Sequence, residues 1–261
     1  MKFIKTLAAA AVLAAVSAPA LATIKAVADG TSEIFFAIGD NNGSFILDTG
    51  VSLNDFLAGN MNFSRAVAGT EWNKYIASDS NLFDGSPSST TGTRWALFVF
   101  DGNGNFDVTQ IRALSTVGAG GSAASFGFSG DEFVGAWGFT GLVGQNANGT
   151  GTHFGLPEDN GTSFNAKGTL GFAASTFFSF GGTNTRIGNA VGVDSSLVLM
   201  TGADPDDGLL PVIANTVPGV TVSFDGATLN VVSAVPEPQT YALMLGGLAA
   251  VGFIARRRRS V

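Results

Sequence analysis

Nine Asn-Gly or Asp-Gly pairs divide the chain, and they constrain its fold more than any other feature. The pairs begin at residues 29, 42, 84, 101, 103, 148, 160, 207 and 225. Such pairs favour tight turns between antiparallel strands, because glycine and asparagine accept positive φ angles at little cost. Their spacing suits many short strands rather than alternating strand–helix units, and no repeat of fixed period accompanies them. The chain is therefore predicted to be all-β, with a single antiparallel β-sandwich-like domain.

Two segments show a complete hairpin pattern, in which a turn separates two β-rich runs. They are TSEIFFAIGDNNGSFILDTG and TRWALFVFDGNGNFDVTQIRAL, and both predict an antiparallel strand pair. SLNDFLAGNMNF and TEWNKYIAS each suit one or two helical turns. The polar, glycine-rich stretches 144–162 and 202–211 are expected to be mainly loop. Further strands are predicted at 126–133, 169–180, 196–200, 220–224 and 227–232.

Two residue counts indicate how such a domain is stabilised. No cysteine is present, which excludes disulfides and thiolate metal sites. The 22 phenylalanines supply large apolar side chains for a core. We expect Trp72, Trp95 and Trp137 to join that core, although tryptophans are also suited to lining a sugar site.

The N-terminal residues 1–22 have the order of parts that is typical of a secretory signal peptide. Lys2 and Lys5 precede a ten-residue apolar run, and the small residues Ala20 and Ala22 follow it. This pattern predicts a short signal helix with cleavage after Ala22. A permanent N-terminal span is the alternative, but the run is short and a cleavage site follows it.

The C-terminal residues 235–261, VPEPQTYALMLGGLAAVGFIARRRRSV, join two prolines, an uncharged apolar run and four arginines. The run predicts a short transmembrane helix at 240–255, which is marginal because a bilayer core is about 30 Å thick and usually needs ~20 apolar residues. Positive flanks resist translocation, so the arginines are expected to stay in the cytoplasm and the body, residues 23–234, to lie outside.

The order of a Pro-Glu-Pro triplet, an apolar segment and a basic cluster resembles the PEP-CTERM sorting signal of Gram-negative bacteria. In that family a membrane-embedded exosortase is thought to cleave near the triplet and to release or transfer the protein. The resemblance implies that the chain has exosortase as a partner and is inserted only transiently in the inner membrane. An ordinary tail anchor is the alternative. The sorting residues implied are Pro236, Glu237, Pro238, Arg256, Arg257, Arg258 and Arg259.

Without the two targeting segments, the body is strongly acidic. Two lysines and four arginines of the 13 basic residues lie in those segments, so 7 basic and 20 acidic residues remain through Pro238, a net charge of −13. Such a surface repels nucleic acid and anionic membranes, and nucleic acid is therefore excluded as a partner. Divalent cations are the partners that it attracts.

The segment Ile46-Leu47-Asp48-Thr49-Gly50 is similar to the active-site loop of aspartic proteases. In those enzymes two carboxylates share a proton, which requires a second Asp-Thr-Gly or a homodimer. This chain has no second copy of the triplet. A strand that ends in an Asx-stabilised turn explains the triplet without catalysis, and we expect that structure here.

The segment DGNGNFD begins like a calcium loop, because oxygen-bearing side chains occupy alternate positions. An EF-hand requires glycine at the sixth position and glutamate at the twelfth, where this chain has Phe106 and Arg112, so it is not an EF-hand. A looser calcium-binding turn and a plain hairpin tip both stay open. The candidate ligands are Asp101, Asn103, Asn105 and Asp107.

Patterns that carry catalysis are otherwise missing from the sequence. His153 is the only histidine, which excludes a multi-histidine metal site. No G-x-S-x-G, Walker or dinucleotide-binding loop occurs. We therefore expect no enzyme activity and no cofactor. Calcium is the alternative, at the DGNGNFD turn or, as a weaker candidate, at Asp204, Asp206 and Asp207. A hydrolase is the weakest functional hypothesis.

The function predicted from these features is that of an exported, non-enzymatic protein of the cell surface or extracellular matrix. The PEP-CTERM resemblance implies association with exopolysaccharide, biofilm or floc. The alternative is a carbohydrate- or calcium-binding module with the same β-sandwich architecture.

Overall fold

Two antiparallel sheets make up the described body of the protein. The computed structural model describes residues 31–59, 61–78, 81–85, 92–101, 112–118, 162–167, 187–202, 212–234 and 244–248. The strands within these ranges are β1 Glu33–Gly39, β2 Gly43–Ser52, β3 Phe63–Ala66, β4 Arg94–Asp101, β5 Arg112–Thr116, β6 Thr162–Ala166, β7 Leu197–Gly202, β8 Val212–Thr216, β9 Val220–Phe224 and β10 Thr228–Ser233. The helices of the body are α1 Leu53–Leu57 and α2 Thr70–Ser78.

The larger sheet has seven strands in the order β6-β2-β1-β4-β5-β7-β8, and the smaller sheet has the order β3-β10-β9. All of these neighbouring strands run antiparallel. The first predicted hairpin is confirmed as β1 and β2, which are joined by a turn in which Asp40 Oδ1 accepts from the N–H groups of Asn42 and Gly43. The second is confirmed as the pair β4 and β5.

Both helices lie beside the large sheet, and their sequences contain the features that form them. Ser52 caps α1, because its Oγ accepts from the N–H of Asp55 at 3.0 Å. In α2, Trp72 and Tyr75 stand three residues apart and both are buried. Glu71 Oε2 accepts from the N–H of Phe164 at 2.9 Å, which covers part of the edge strand β6.

An aromatic cluster joins the two sheets. The Phe224 ring of β9 lies 4.8 Å from the Phe36 ring and 6.3 Å from the Trp95 ring of the large sheet, measured between centroids. Trp72 packs edge-to-face on Phe224 at 6.1 Å. The Trp95 indole N–H donates to the carbonyl of Ala190 at 2.9 Å. Trp72 and Trp95 are thus core residues rather than sugar-site residues; Trp137 lies outside the described residues.

The opposite face of the large sheet is buried as well. Phe35, Ile46 and Phe98 point to this face and are at most 1% exposed. The rings of Phe35 and Phe98 meet edge-to-face at 5.7 Å. Asp48 follows Ile46 by two residues and stands opposite Phe35, so it shares this buried face.

The all-β, antiparallel prediction is confirmed, and several elements coincide with their predicted positions. β9 and α2 match their predicted segments, while β7 and β10 each begin one residue later than expected. β3, β6 and β8 were not predicted, and β6 begins at Thr162, in a stretch that was expected to be mainly loop. The predicted strands at 126–133 and 169–180 lie outside the described residues.

Of the two predicted terminal helices, the structure describes only a part of one. Residues 244–248 are helical, and within them Met244, Leu245 and Leu248 are exposed. The signal helix and the rest of the span 240–255 lie outside the described ranges. Among the helices that are described, none has the length and apolar character that crossing a membrane requires.

Candidate functional site

A β-bulge in β2 shapes the most unusual polar site of the described body. Ile34 of β1 pairs with Val51, whereas Phe35 pairs with Asp48, so Thr49 and Gly50 are extra residues on β2. Thr49 Oγ1 donates to the carbonyl of Ile34 at 2.6 Å. Gly50 has φ of 65°, a conformation that glycine adopts without steric cost. The Asp48-Thr49-Gly50 triplet therefore forms a structural bulge within β2.

Asp48 is a buried carboxyl group with one oxygen satisfied and one orphaned. Oδ1 accepts from the N–H of Gly50 at 2.7 Å, as expected of an Asx-type turn, but β2 continues to Ser52 and does not end at the triplet as predicted. Oδ2 is buried and has no partner among the described residues, and the residue is 5% exposed. Burial raises the pKa of Asp48 from 3.8 to about 7; the Gly50 N–H lowers the pKa, Glu33 raises it and Arg65 lowers it. This group can therefore gain or lose a proton near neutral pH.

Arg65 ties the small sheet to the bulge. Its Nε donates to the carbonyl of Thr49 at 2.6 Å, and its Nη1 donates to the carbonyl of Ser64 at 2.9 Å. The guanidinium carbon lies 5.5 Å from the centre of the Phe63 ring, a cation–π distance. Within the described part of the chain, Nη2 makes no hydrogen bond. Arg65 is thus held in place while one donor group stays available.

An open cleft of about 450 Å³ lies between the bulge, α1 and the start of β3. Asp55 enters it from α1, where Oδ2 accepts from the Ser52 hydroxyl at 2.7 Å. Asn62 enters it from the other side, where Oδ1 accepts from the N–H of Ser233 at 2.6 Å. The cleft thus combines a carboxylate, an amide and a guanidinium with a small apolar surface. Its lining residues are Gly50, Val51, Asp55, Asn62, Phe63 and Arg65.

The calcium candidates are only partly described. Asp101 ends β4 and is 2% exposed, whereas Asn103, Asn105 and Asp107 lie outside the described residues, as do Asp204, Asp206 and Asp207. Asp101 Oδ1 accepts from the Ser32 hydroxyl at 3.1 Å, and Oδ2 accepts from Arg112 Nη2 at 2.6 Å. Protein donors therefore already occupy both oxygens. The described residues contain no group of three or more His, Asp or Glu residues that could hold a metal ion.

The sorting residues lie directly beyond the last strand. Pro236, Glu237, Pro238 and the four C-terminal arginines are outside the described residues, as are Ala20 and Ala22 of the signal peptide. Backbone hydrogen bonds of the body extend to Ala234, two residues before Pro236, because the N–H of Ala234 donates to the carbonyl of Gly219 at 2.6 Å. The folded body and the tail therefore meet at Ala234.

Three cleft residues were not identified from sequence. The Ser52-x-x-Asp55 spacing is a helix-capping signal and could have located Asp55. Asn62 and Arg65 have no comparable signal, because their partners are distant in sequence. The structure brings Arg65 to the Asp48 loop, a juxtaposition that only the tertiary fold creates.

The comparisons with known proteins identify the tail. Residues 234–259 match a family model described as the PEP-CTERM protein-sorting motif. No curated protein and no solved structure matches the chain. The resemblance seen in the Pro-Glu-Pro triplet, apolar segment and basic cluster is thus confirmed. The motif implies an exported protein that an exosortase sorts to a surface or extracellular destination.

Proposed function

We propose that the chain is a non-enzymatic protein of the cell surface or extracellular matrix, which associates with extracellular polysaccharide after exosortase has processed its tail. The observation that carries this proposal is the PEP-CTERM motif at 234–259, joined directly to a folded β-rich body. The tail is inserted transiently in the inner membrane, and the body is the part that functions outside the cell.

The boundary between body and tail supports removal of the tail without damage to the fold. β10 is the central strand of the small sheet and pairs with β3 and β9. Its last residue, Ser233, pairs with Val220, and Leu229 and Val231 of β10 belong to the core. Cleavage near Pro236 leaves all of β10 in the body, so the processed protein keeps its two sheets.

The environment of Asp48 supports a structural role over a catalytic one. Two side-chain hydrogen bonds stabilise the bulge: Asp48 Oδ1 accepts from the N–H of Gly50, and the Thr49 hydroxyl donates to the carbonyl of Ile34. A protease of the aspartic type needs two carboxyl groups that share a proton. Asp48 is only 5% exposed, and it does not belong to the residues that line the neighbouring cleft.

The test of sorting is cell fractionation with an antibody against the body. Replacement of Pro236, Glu237 and Pro238 by alanine leaves the apolar run intact, so insertion continues while processing stops. We expect wild type to be shortened and released from the inner membrane, and the triple variant to stay there at full length. An exosortase deletion should reproduce the variant.

The matched control replaces three other residues that flank the triplet, Val235, Gln239 and Thr240, by alanine. This control should be processed like wild type. If wild type, the triple variant and the deletion strain all retain full-length protein in the membrane, the tail is a simple anchor and the proposal is wrong. Association with polysaccharide is measured separately, as co-fractionation of the processed protein with cell-bound polysaccharide.

A further inference from the structure

The cleft lined by Asp55, Asn62 and Arg65 has the properties of a ligand site. The ligand class inferred for it rests on the proposed function, since the cleft belongs to the exported body. The cleft volume of about 450 Å³ falls within the roughly 300–1,000 Å³ that small-molecule sites occupy. The polar groups come from two parts of the chain, namely α1 and the segment that leads into β3.

Each of these side chains is fixed through one group and offers another to the cleft. Asp55 uses Oδ2 to accept from Ser52, which leaves Oδ1 as an acceptor. Asn62 uses Oδ1 to accept from Ser233, which leaves its amide NH₂ as a donor. Arg65 uses Nε and Nη1 on backbone carbonyls, which leaves Nη2 as a donor. Preorganisation of this kind lowers the entropic cost of binding.

The two opposite charges that line the cleft do not form an ion pair with each other. Arg65 and Asp55 line the same cleft, but neither takes part in the ion pairs Lys74–Glu71 and Arg112–Asp101. An anionic ligand would meet Asp55 and a body of strongly negative charge, and a cationic ligand would meet the Arg65 guanidinium. A neutral ligand with several hydroxyl groups avoids both penalties, because each hydroxyl both donates and accepts.

We propose that this cleft binds a neutral carbohydrate, with Asp55 accepting from one sugar hydroxyl and with Asn62 and Arg65 donating to others. The Phe63 ring also lines the cleft, and its centre lies 5.5 Å from the Arg65 guanidinium carbon, which helps to hold the guanidinium in place. The site lies on the body, so it is retained when the tail is removed.

Two substitutions test the site while they preserve the contacts that fix it. Asp55→Asn keeps an oxygen that can accept from Ser52 but removes the carboxylate. Asn62→Asp keeps an oxygen for the Ser233 N–H but replaces the donor by an acceptor. The charge-matched controls are Asp194→Asn and Asn41→Asp, because both residues are exposed and neither lines the cleft.

The assay uses processed protein purified from the culture medium and a glycan array with neutral and uronic-acid-containing oligosaccharides. Wild type and both controls should bind at least one neutral glycan, and each cleft variant should bind it roughly threefold to tenfold more weakly, the effect of one lost hydrogen bond. The proposal is overturned if no neutral glycan binds, if acidic glycans bind better, or if the cleft variants bind like the controls.

The same proteins distinguish this proposal from the proposed function. If wild type and the cleft variants co-fractionate equally with cell-bound polysaccharide, the protein is a matrix component that uses another surface, and the cleft proposal is wrong. If wild type does not co-fractionate with polysaccharide at all, the proposed matrix role is wrong. The cleft proposal is then judged separately, by whether the protein binds neutral glycans on the array.

Discussion

Replacing Asp48 by asparagine should change how stability depends on pH. Asp48 is 5% exposed, and burial raises its pKa from 3.8 to about 7. Below pH 3.8 the carboxyl is protonated in both folded and unfolded chains and carries no penalty. Between 3.8 and 7 the folded chain binds one more proton than the unfolded chain, so stability falls as pH rises. Above pH 7 the carboxyl is ionised in both folded and unfolded chains, so the loss of stability caused by its burial stays constant.

The size of the effect follows from the two pKa values. At 1.36 kcal/mol for each pH unit, the interval from 3.8 to about 7 corresponds to roughly 4 kcal/mol of stability lost between acid and mildly alkaline solution. Asparagine does not titrate and keeps a carbonyl oxygen to accept from the Gly50 N–H. The free energy of unfolding of the Asp48→Asn variant, relative to that of wild type, should therefore increase steadily from pH 4. At pH 8 the variant should be the more stable protein.

The assay is urea unfolding of the processed protein at pH 4, 5, 6, 7 and 8, followed by tryptophan fluorescence, since Trp72 and Trp95 are buried. Asp225→Asn is the control, because the N–H groups of Ala227 and Thr228 lower the pKa of that exposed carboxylate. Its contribution is fully present above the ordinary pKa of 3.8 and is lost only as pH falls below that value, so from pH 4 to 8 the stability curve of this variant should run parallel to that of wild type. Parallel stability curves for wild type and Asp48→Asn would refute the reasoning.

Three further predictions concern the rest of the chain. Intact-mass analysis of the exported protein should find Thr23 as its first residue, and a mass that retains Lys2 and Lys5 would contradict signal cleavage. Adding EDTA should leave the thermal unfolding midpoint unchanged, because protein donors occupy both oxygens of Asp101; a lowered midpoint would instead favour a calcium site. Phe224→Ala should cost about 3–5 kcal/mol in urea unfolding, since this ring joins the two sheets; a loss below ~1 kcal/mol would contradict that role.

The sequence by itself determined the features that depend on neighbouring residues. The Asp40-Asn41-Asn42-Gly43 turn and its flanking β-rich runs predict the first hairpin, and β1 and β2 form it in the expected place. Val220–Phe224 alternates apolar and polar residues and is β9. The order of the C-terminal motif is likewise local, which is why it was recognised without a structure. In each case a short segment contains the whole signal.

Strands without such a local signal were missed. β6 is Thr-Ser-Phe-Asn-Ala, which has little apolar character, yet it pairs with β2 and is covered by Glu71 and Tyr75 of α2. β3 is only four residues long, and it is stabilised by pairing with β10, which lies far away in the sequence. Pairing and burial by distant segments outweigh weak local propensity, because β-propensity mainly reflects the surface on which a strand packs.

Only the tertiary structure decided the properties of the polar sites. The Asp48 triplet looks the same in sequence whether it is a protease loop or a bulge, and its raised pKa arises from burial on a packed sheet face. Arg65 reaches the Thr49 carbonyl, and Asn62 holds Ser233, across 16 and 171 residues of chain. Contacts over such separations form only when the sheets pack together, so the cleft and its free donors and acceptor exist in the fold and not in any one segment.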